Sequence, residues 1–227
     1  MNVSHGKNFR IFNKHSVHID KSVKIGNNVT IYENNRIEGN SVIGDNVIIY
    51  AGCYIKDTII MDGSTLTSTH SEGACVGKDC NIGPFARLRP NAVIMDKAKI
   101  GNFVEIKNAV IGKGSKVSHL AYVGDADVGS DCNIGCGVIF VNYNGKEKNR
   151  TSVGDNCFIG SNVNVIAPVK IDSNSYICAG TTVTDNVNYD DFVIGRVRQQ
   201  VKENRAHEYL KKKEGNWKWD YFLERTD

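Results

Sequence analysis

Aliphatic residues recur every six positions along most of this chain. Ile19, Ile25, Ile31, Ile37, Ile43, Ile49 and Ile55 keep the step without a break, and Met61 extends it. After an interruption the spacing resumes at Val76, Ile82, Leu88, Ile94, Ile100 and Ile106. It continues through Ile111, Val117, Val123, Val128, Ile134 and Phe140 with two five-residue steps. An insertion, NYNGKEKNRT, follows, and Val153, Ile159, Val165, Ile171, Ile177 and Val183 complete the series. A period of six is not the α-helical stripe of about 3.6, and it outlasts the short alternation of an ordinary strand. Three hexads instead make a triangular coil of about 18 residues, each hexad giving one short strand and one corner. The key aliphatic and the residue four later, such as Ile43 and Val47, point inward. Gly and Asn gather at the corners, where the backbone needs unusual angles. Proline is rare, as expected where each strand pairs above and below. The pattern predicts an all-β chain, a left-handed parallel β-helix of hexapeptide repeats over residues 1–200.

From Val201 the pattern changes. VKENRAHEYLKKKEG is rich in helix formers and ends in glycine, which predicts a helix with a C-cap. NWKWDYFLERTD then gathers four aromatic residues. Residues 201–227 are therefore expected to form a C-terminal helix and tail. The tail would either cap the exposed edge of the last coil or dock on a neighbouring subunit.

Composition narrows the setting. An apolar fraction of 41% is that of a folded globular protein, and a net charge of +3 is too small to argue for nucleic acid. The seven cysteines form no CxxC pair and several occupy small-residue positions of the repeat, as reduced structural thiols do. The N-terminus MNVSHGKNFRIFNK has no apolar signal core and no run approaches a membrane span. A cytoplasmic protein without membrane contact is expected.

Candidate chemistry comes from residues that break the repeat. Equivalent positions three hexads apart stack at the strand spacing of about 4.8 Å. The third hexad position on one face gives the outward column Asn102, His119, Cys136, Ser161 and Ala179. His119 thus ends a line of small residues, a groove for something long and thin. On the adjoining face Arg89 and Lys107 occupy the second position, usually glycine, and lie on successive coils. Two such cations suit a phosphate or carboxylate, although local acids such as Glu105 or Asp125 would also satisfy them. Tyr122 is expected at the corner joining the two columns. A base, a thin groove and an anion site together suggest acyl transfer from coenzyme A.

The motifs IGPFARLRPNAVI, IGNFVEIKNA, GKGSKVSHLAYVGDADVG, NIGCGVIFVNYNG, FIGSNVNVIAPV, AGTTVT and GRVRQ occur in this order. In this the chain, from about Val17 to Val201, resembles the acetyltransferase half of the GlmU family. Those proteins are bifunctional N-acetylglucosamine-1-phosphate uridylyltransferases and glucosamine-1-phosphate N-acetyltransferases. The resemblance implies that His119 is the general base and that Arg89, Lys107 and Tyr122 bind the sugar phosphate, with Asn133 nearby. It implies an acetyl-CoA site lined by Cys136, Asn142, Tyr143, Ser161, Ala179 and Arg196. Lys148, on the inserted loop, would reach the site of an adjacent subunit in a homotrimer. Cys136 departs from the alanine more usual in the family. The chain also lacks the family's GxGTRM loop, so uridylyl transfer is expected to be missing. A separate nucleotidyltransferase polypeptide would supply it, or the chain is an excised domain.

Other readings stay open on the same fold. One is an acyltransferase for another amino sugar, a sugar nucleotide, serine or an antibiotic. Another is a non-catalytic module that trimerises a nucleotidyltransferase. A carbonic-anhydrase-like metal site is disfavoured, because it needs three histidines and the repeat after Val76 holds only His119. No metal is expected.

Overall fold

The computed structural model describes residues 4–210. Nearly every hexad forms a strand of two or three residues that pairs in parallel with its equivalent one coil away. Val93 faces Val110, and Val110 faces Asp127 in turn. The result is a left-handed parallel β-solenoid of about 11 turns. The inward column is one aliphatic residue thick. Ile31, Ile37, Ile49 and Ile55 are fully buried, as are Val23, Val29 and Val47, which lie four residues after a key position. Each coil covers the apolar floor of the next, so burial runs unbroken along the stack.

The coils extend beyond the predicted series at both ends. Strands Ser4–His5 and Arg10–Ile11 precede Ile19, with Phe9 and Ile11 packed on the core. Val187 and Val193 pair with Ile171 and Ile177 after Val183.

The interruption predicted between Met61 and Val76 is not there, and Met61 is not an inward residue. Ile60 is buried and Met61 is 39% exposed; the interior continues through Leu66, Ser71 and Val76. The cause is a second kind of corner. In a six-residue step the left-handed residue lies three after the inward one, as at Asn28 (φ 55°) and Asn46 (φ 58°). In a five-residue step it lies two after, as at Asp57 (φ 47°), Asn108 (φ 47°) and Asp125 (φ 49°). Asn and Asp tolerate this conformation best among residues with a side chain.

Two strands of nine residues, Lys99–Lys107 and Lys116–Gly124, continue around one corner and tie two faces together. Their corner residues are Phe103 and Leu120, in line with Phe85, and all three hold left-handed backbone at φ 57°, 38° and 57° respectively. Bulky residues seldom do so. They stand as an exposed ridge, with the Phe85 and Phe103 rings stacked at 5.5 Å.

The solenoid forms one compact unit ending at Arg196, and Val197 begins a second. Within the second, the helix spans Ala206–Tyr209 and does not begin at Val201. Asn204, at φ 56°, takes a left-handed conformation that no α-helix continues through. The rest of the expected helix, its glycine cap and the aromatic cluster lie outside the described residues.

Candidate functional site

The strand Lys116–Gly124 carries the two halves of the site on either side of a corner. It pairs with Lys99–Lys107 so that His119 lies beside Asn102, Tyr122 beside Glu105, and Gly124 beside Lys107. His119 is exposed on one face, and its Nδ1 lies 2.9 Å from Asn102 Oδ1. Leu120 makes the turn, which places Tyr122 on the next face and not at the corner itself. The Tyr122 ring lies across Gly124: a Cβ there would come within 2.3 Å of the phenol oxygen. Glycine at 124 is what leaves room for the ring.

Arg89 and Lys107 lie on successive coils of that second face, and each has an acid of its own. Arg89 Nη1 is 2.8 Å from Glu105 Oε1, and Lys107 Nζ is 3.5 Å from Asp125 Oδ2. Asp125 occupies a short corner, which turns its carboxylate back over the coil edge. There it accepts from Asn108 Nδ2 at 2.6 Å and from Asn142 Nδ2. Burial alone would raise the Asp125 pKa, but the bonds from Asn108 and Asn142 and the charge of Lys107 outweigh it and hold the carboxyl below its ordinary value. Asn142 Nδ2 also lies 3.4 Å from the Tyr122 hydroxyl, so it ties the corner acid to the phenol.

The inserted loop returns to this place. Tyr143 and Lys148 form an antiparallel bridge across its base, and the Lys148 amine lies against that of Lys107 in the same chain. This contact and the Lys107 charge hold the Lys148 pKa below its ordinary value. Lys107 is raised, by the contact with the Lys148 amine and by the Asp125 carboxylate. Arg89 and Lys107 are each matched by one carboxylate, and the Lys148 amine is a third basic group beside them.

On the His119 face the column is as the spacing predicts. Cys136, Ser161 and Ala179 are exposed in line above His119, and Arg196 Nη1 donates to the Ala179 carbonyl at 2.9 Å. Gly135 and Gly160 form the groove floor: a Cβ on either would come within 2.6 Å of backbone on the next coil. A stack of Phe158, Tyr176 and Phe192 borders the groove, with centroids 4.6 and 5.3 Å apart. Asn133 stands below Phe158 at the foot of that stack. It shares the face of His119 and Cys136, and within one chain it is not brought to the Arg89, Lys107 and Tyr122 cluster. Tyr143 is exposed, with its hydroxyl donating to Gly145 O at 2.8 Å, while Asn142 is buried.

Sequence reading named Glu105 and Asp125 as acids that would satisfy the two cations, as they do here, but missed Asn102 as a partner of His119 and Asn108 as a partner of Asp125. The repeat exposed Asn102 as a column member, but a hydrogen bond depends on side-chain placement that spacing does not carry. Among the described residues one group, His18, Asp20 and Glu38, brings three potential metal-ligand atoms within 4.8 Å of one another. Its carboxylates are already taken: Glu38 by Arg36 and Tyr54, Asp20 by His18 and the Gly39 N–H.

Comparison with known proteins places this architecture. The family model described as the GlmU-like C-terminal hexapeptide matches residues 55–134, and that of the bacterial transferase hexapeptide matches residues 150–185. Residues 10–89 also match the GMPPB C-terminal domain. The bifunctional protein GlmU of Clostridium kluyveri is 44% identical over 194 residues, covering 86% of this chain and 42% of that protein. The bifunctional protein GlmU of Geobacillus sp. WCH70 is 46% identical over 187 residues, covering 82% of this chain and 41% of that protein. The chain therefore spans less than half the length of these relatives. Among solved structures, LpxA of Bacteroides fragilis, a UDP-N-acetylglucosamine acyltransferase, superposes with a TM-score of 0.59 at 18% identity. That match covers 78% of this chain and 69% of LpxA, and it supports the fold alone. With the motifs in order, the hexapeptide coils in place and full-length relatives matched along one stretch, the chain belongs to the GlmU family, as the counterpart of its C-terminal hexapeptide-repeat part.

Proposed function

We propose that this chain is an acetyl-CoA-dependent N-acetyltransferase that converts glucosamine 1-phosphate to N-acetylglucosamine 1-phosphate in the cytoplasm. One observation carries the reading: a single strand presents His119 on the face of a small-residue groove and Tyr122 beside a cationic cluster across the corner. The groove past Cys136, Ser161 and Ala179 suits a thin pantetheine arm, with Arg196 at its Ala179 end. The cluster of Arg89, Lys107 and Lys148 gathers donors suited to charge-assisted bonds with a sugar phosphate.

The chemistry needs no covalent enzyme intermediate. The acceptor ammonium first gives a proton to bulk water, which leaves the nucleophilic amine. As the amine nitrogen attacks the thioester carbon, it sheds a second proton to His119, the general base. The new N–C bond forms, the C–S bond breaks, and the imidazolium returns its proton to the leaving thiolate. Asn133 would complete a site formed between chains of a homotrimer, whereas Lys148, expected to reach an adjacent subunit, lies at the cluster of its own chain.

Release of CoA thiol with glucosamine 1-phosphate, glucosamine 6-phosphate and glucosamine tests the assignment. Strong preference for the 1-phosphate is expected. Equal rates with all three would return the acceptor to other amino sugars, and no turnover with any acceptor would favour a non-catalytic trimerising module.

A further inference from the structure

Resting on that reading of His119 as the base, we infer that Asn102 is a positioning residue that fixes which imidazole nitrogen is free to take the proton. Asn102 Oδ1 lies 2.9 Å from His119 Nδ1. A carboxamide oxygen only accepts, so the bond requires a proton on Nδ1 and leaves the lone pair on Nε2. Nε2 is the far nitrogen of the ring, and His119 is exposed on the groove face. A histidine side chain left to itself favours the proton on Nε2, the tautomer that cannot act as base there. Asn102 reverses that preference from the coil below, where the register holds it directly beside His119.

A carboxamide does this without adding charge. The titratable side chains that the register sets around His119 are Lys116 and Tyr122 on its own strand, Lys99 and Glu105 on the coil below, and Cys136 on the coil above. Glu105 is engaged by Arg89. A carboxylate at position 102 would orient the ring equally well but would favour the imidazolium, which is not a base.

The experiment compares wild type, Asn102→Ala and Asn102→Asp by steady-state kinetics across pH, and by nitrogen chemical shifts of the His119 ring. Wild type should show a protonated Nδ1 and a bare Nε2. Asn102→Ala should lower kcat about tenfold or more, leave both KM values within about twofold, and lose the tautomer preference. Asn102→Asp should recover part of kcat and move the acid limb of the profile to higher pH. A wild-type ring protonated on Nε2, or unchanged kcat in both variants, would overturn the inference. Full activity in His119→Ala would instead overturn the functional reading on which it rests.

Discussion

Asp125 shows how much one side chain can organise. It sits 7% exposed at a short corner and gathers Asn108, Asn142 and Lys107. Its folded carboxyl titrates below the unfolded value, so its contribution to stability is complete above roughly pH 4 and is lost as pH falls through the lower folded value. Asp125→Asn should therefore cost about 1–3 kcal/mol near neutrality, with the gap to wild type closing in acid. Urea unfolding at several pH values measures this, and a gap that pH does not change would contradict it. The neighbouring cations make a second prediction. If one phosphate sits on both, Arg89→Ala or Lys107→Ala should raise the acceptor KM roughly 10- to 100-fold and leave acetyl-CoA nearly unaffected. The double variant should fall short of the product, because the two contacts share one ligand. Lost acetyl-CoA affinity with an unchanged acceptor KM would assign the pair to the donor's phosphates. Arg89 and Lys107 were legible as a column because stacking converts a sequence interval into adjacency. Asp125 was legible as a local acid for these cations, but its bonds to Asn108 and Asn142 were not, since they depend on a corner one residue shorter than the usual one.

At the scale of the coil, the six-residue spacing is readable because the interior is one residue thick and admits little else. The run Ile59, Ile60 and Met61 is where reading fails: all three are apolar, and only the corner at Asp57 decides which points inward. The lower boundary of the helix fails for a similar reason, since propensity does not foresee the left-handed turn at Asn204. Close stacking of coils also explains the groove floor. A Cβ at position 160 would lie 2.5 Å from Ala179 N and 2.8 Å from Ile177 O, both backbone atoms of the next coil. Gly160→Ala should lower stability by about 1–3 kcal/mol and weaken acetyl-CoA binding, because the coils must part for it to fit. Thermal unfolding with a titration of acetyl-CoA checks this; an unchanged midpoint and Kd would mean that the coils separate freely.

The whole molecule presents a groove open on one side and a cationic cluster open on another. On the proposed reading a single chain would supply one wall for each ligand, and Asn133, on the face of His119, lies away from the cluster. Sedimentation should therefore find a homotrimer, with activity lost on dilution into monomers; an active monomer would contradict sites shared between chains. The central claim is that the imidazole across the corner from this cluster is the base for acetyl transfer. Its most direct test is turnover by His119→Ala at saturating glucosamine 1-phosphate and acetyl-CoA, alongside the Kd for acetyl-CoA. Turnover should fall by about 10² to 10⁴, the usual worth of a positioned base, with acetyl-CoA binding almost intact. Near-wild-type turnover would contradict the account and leave His119 an exposed histidine with a structural hydrogen bond.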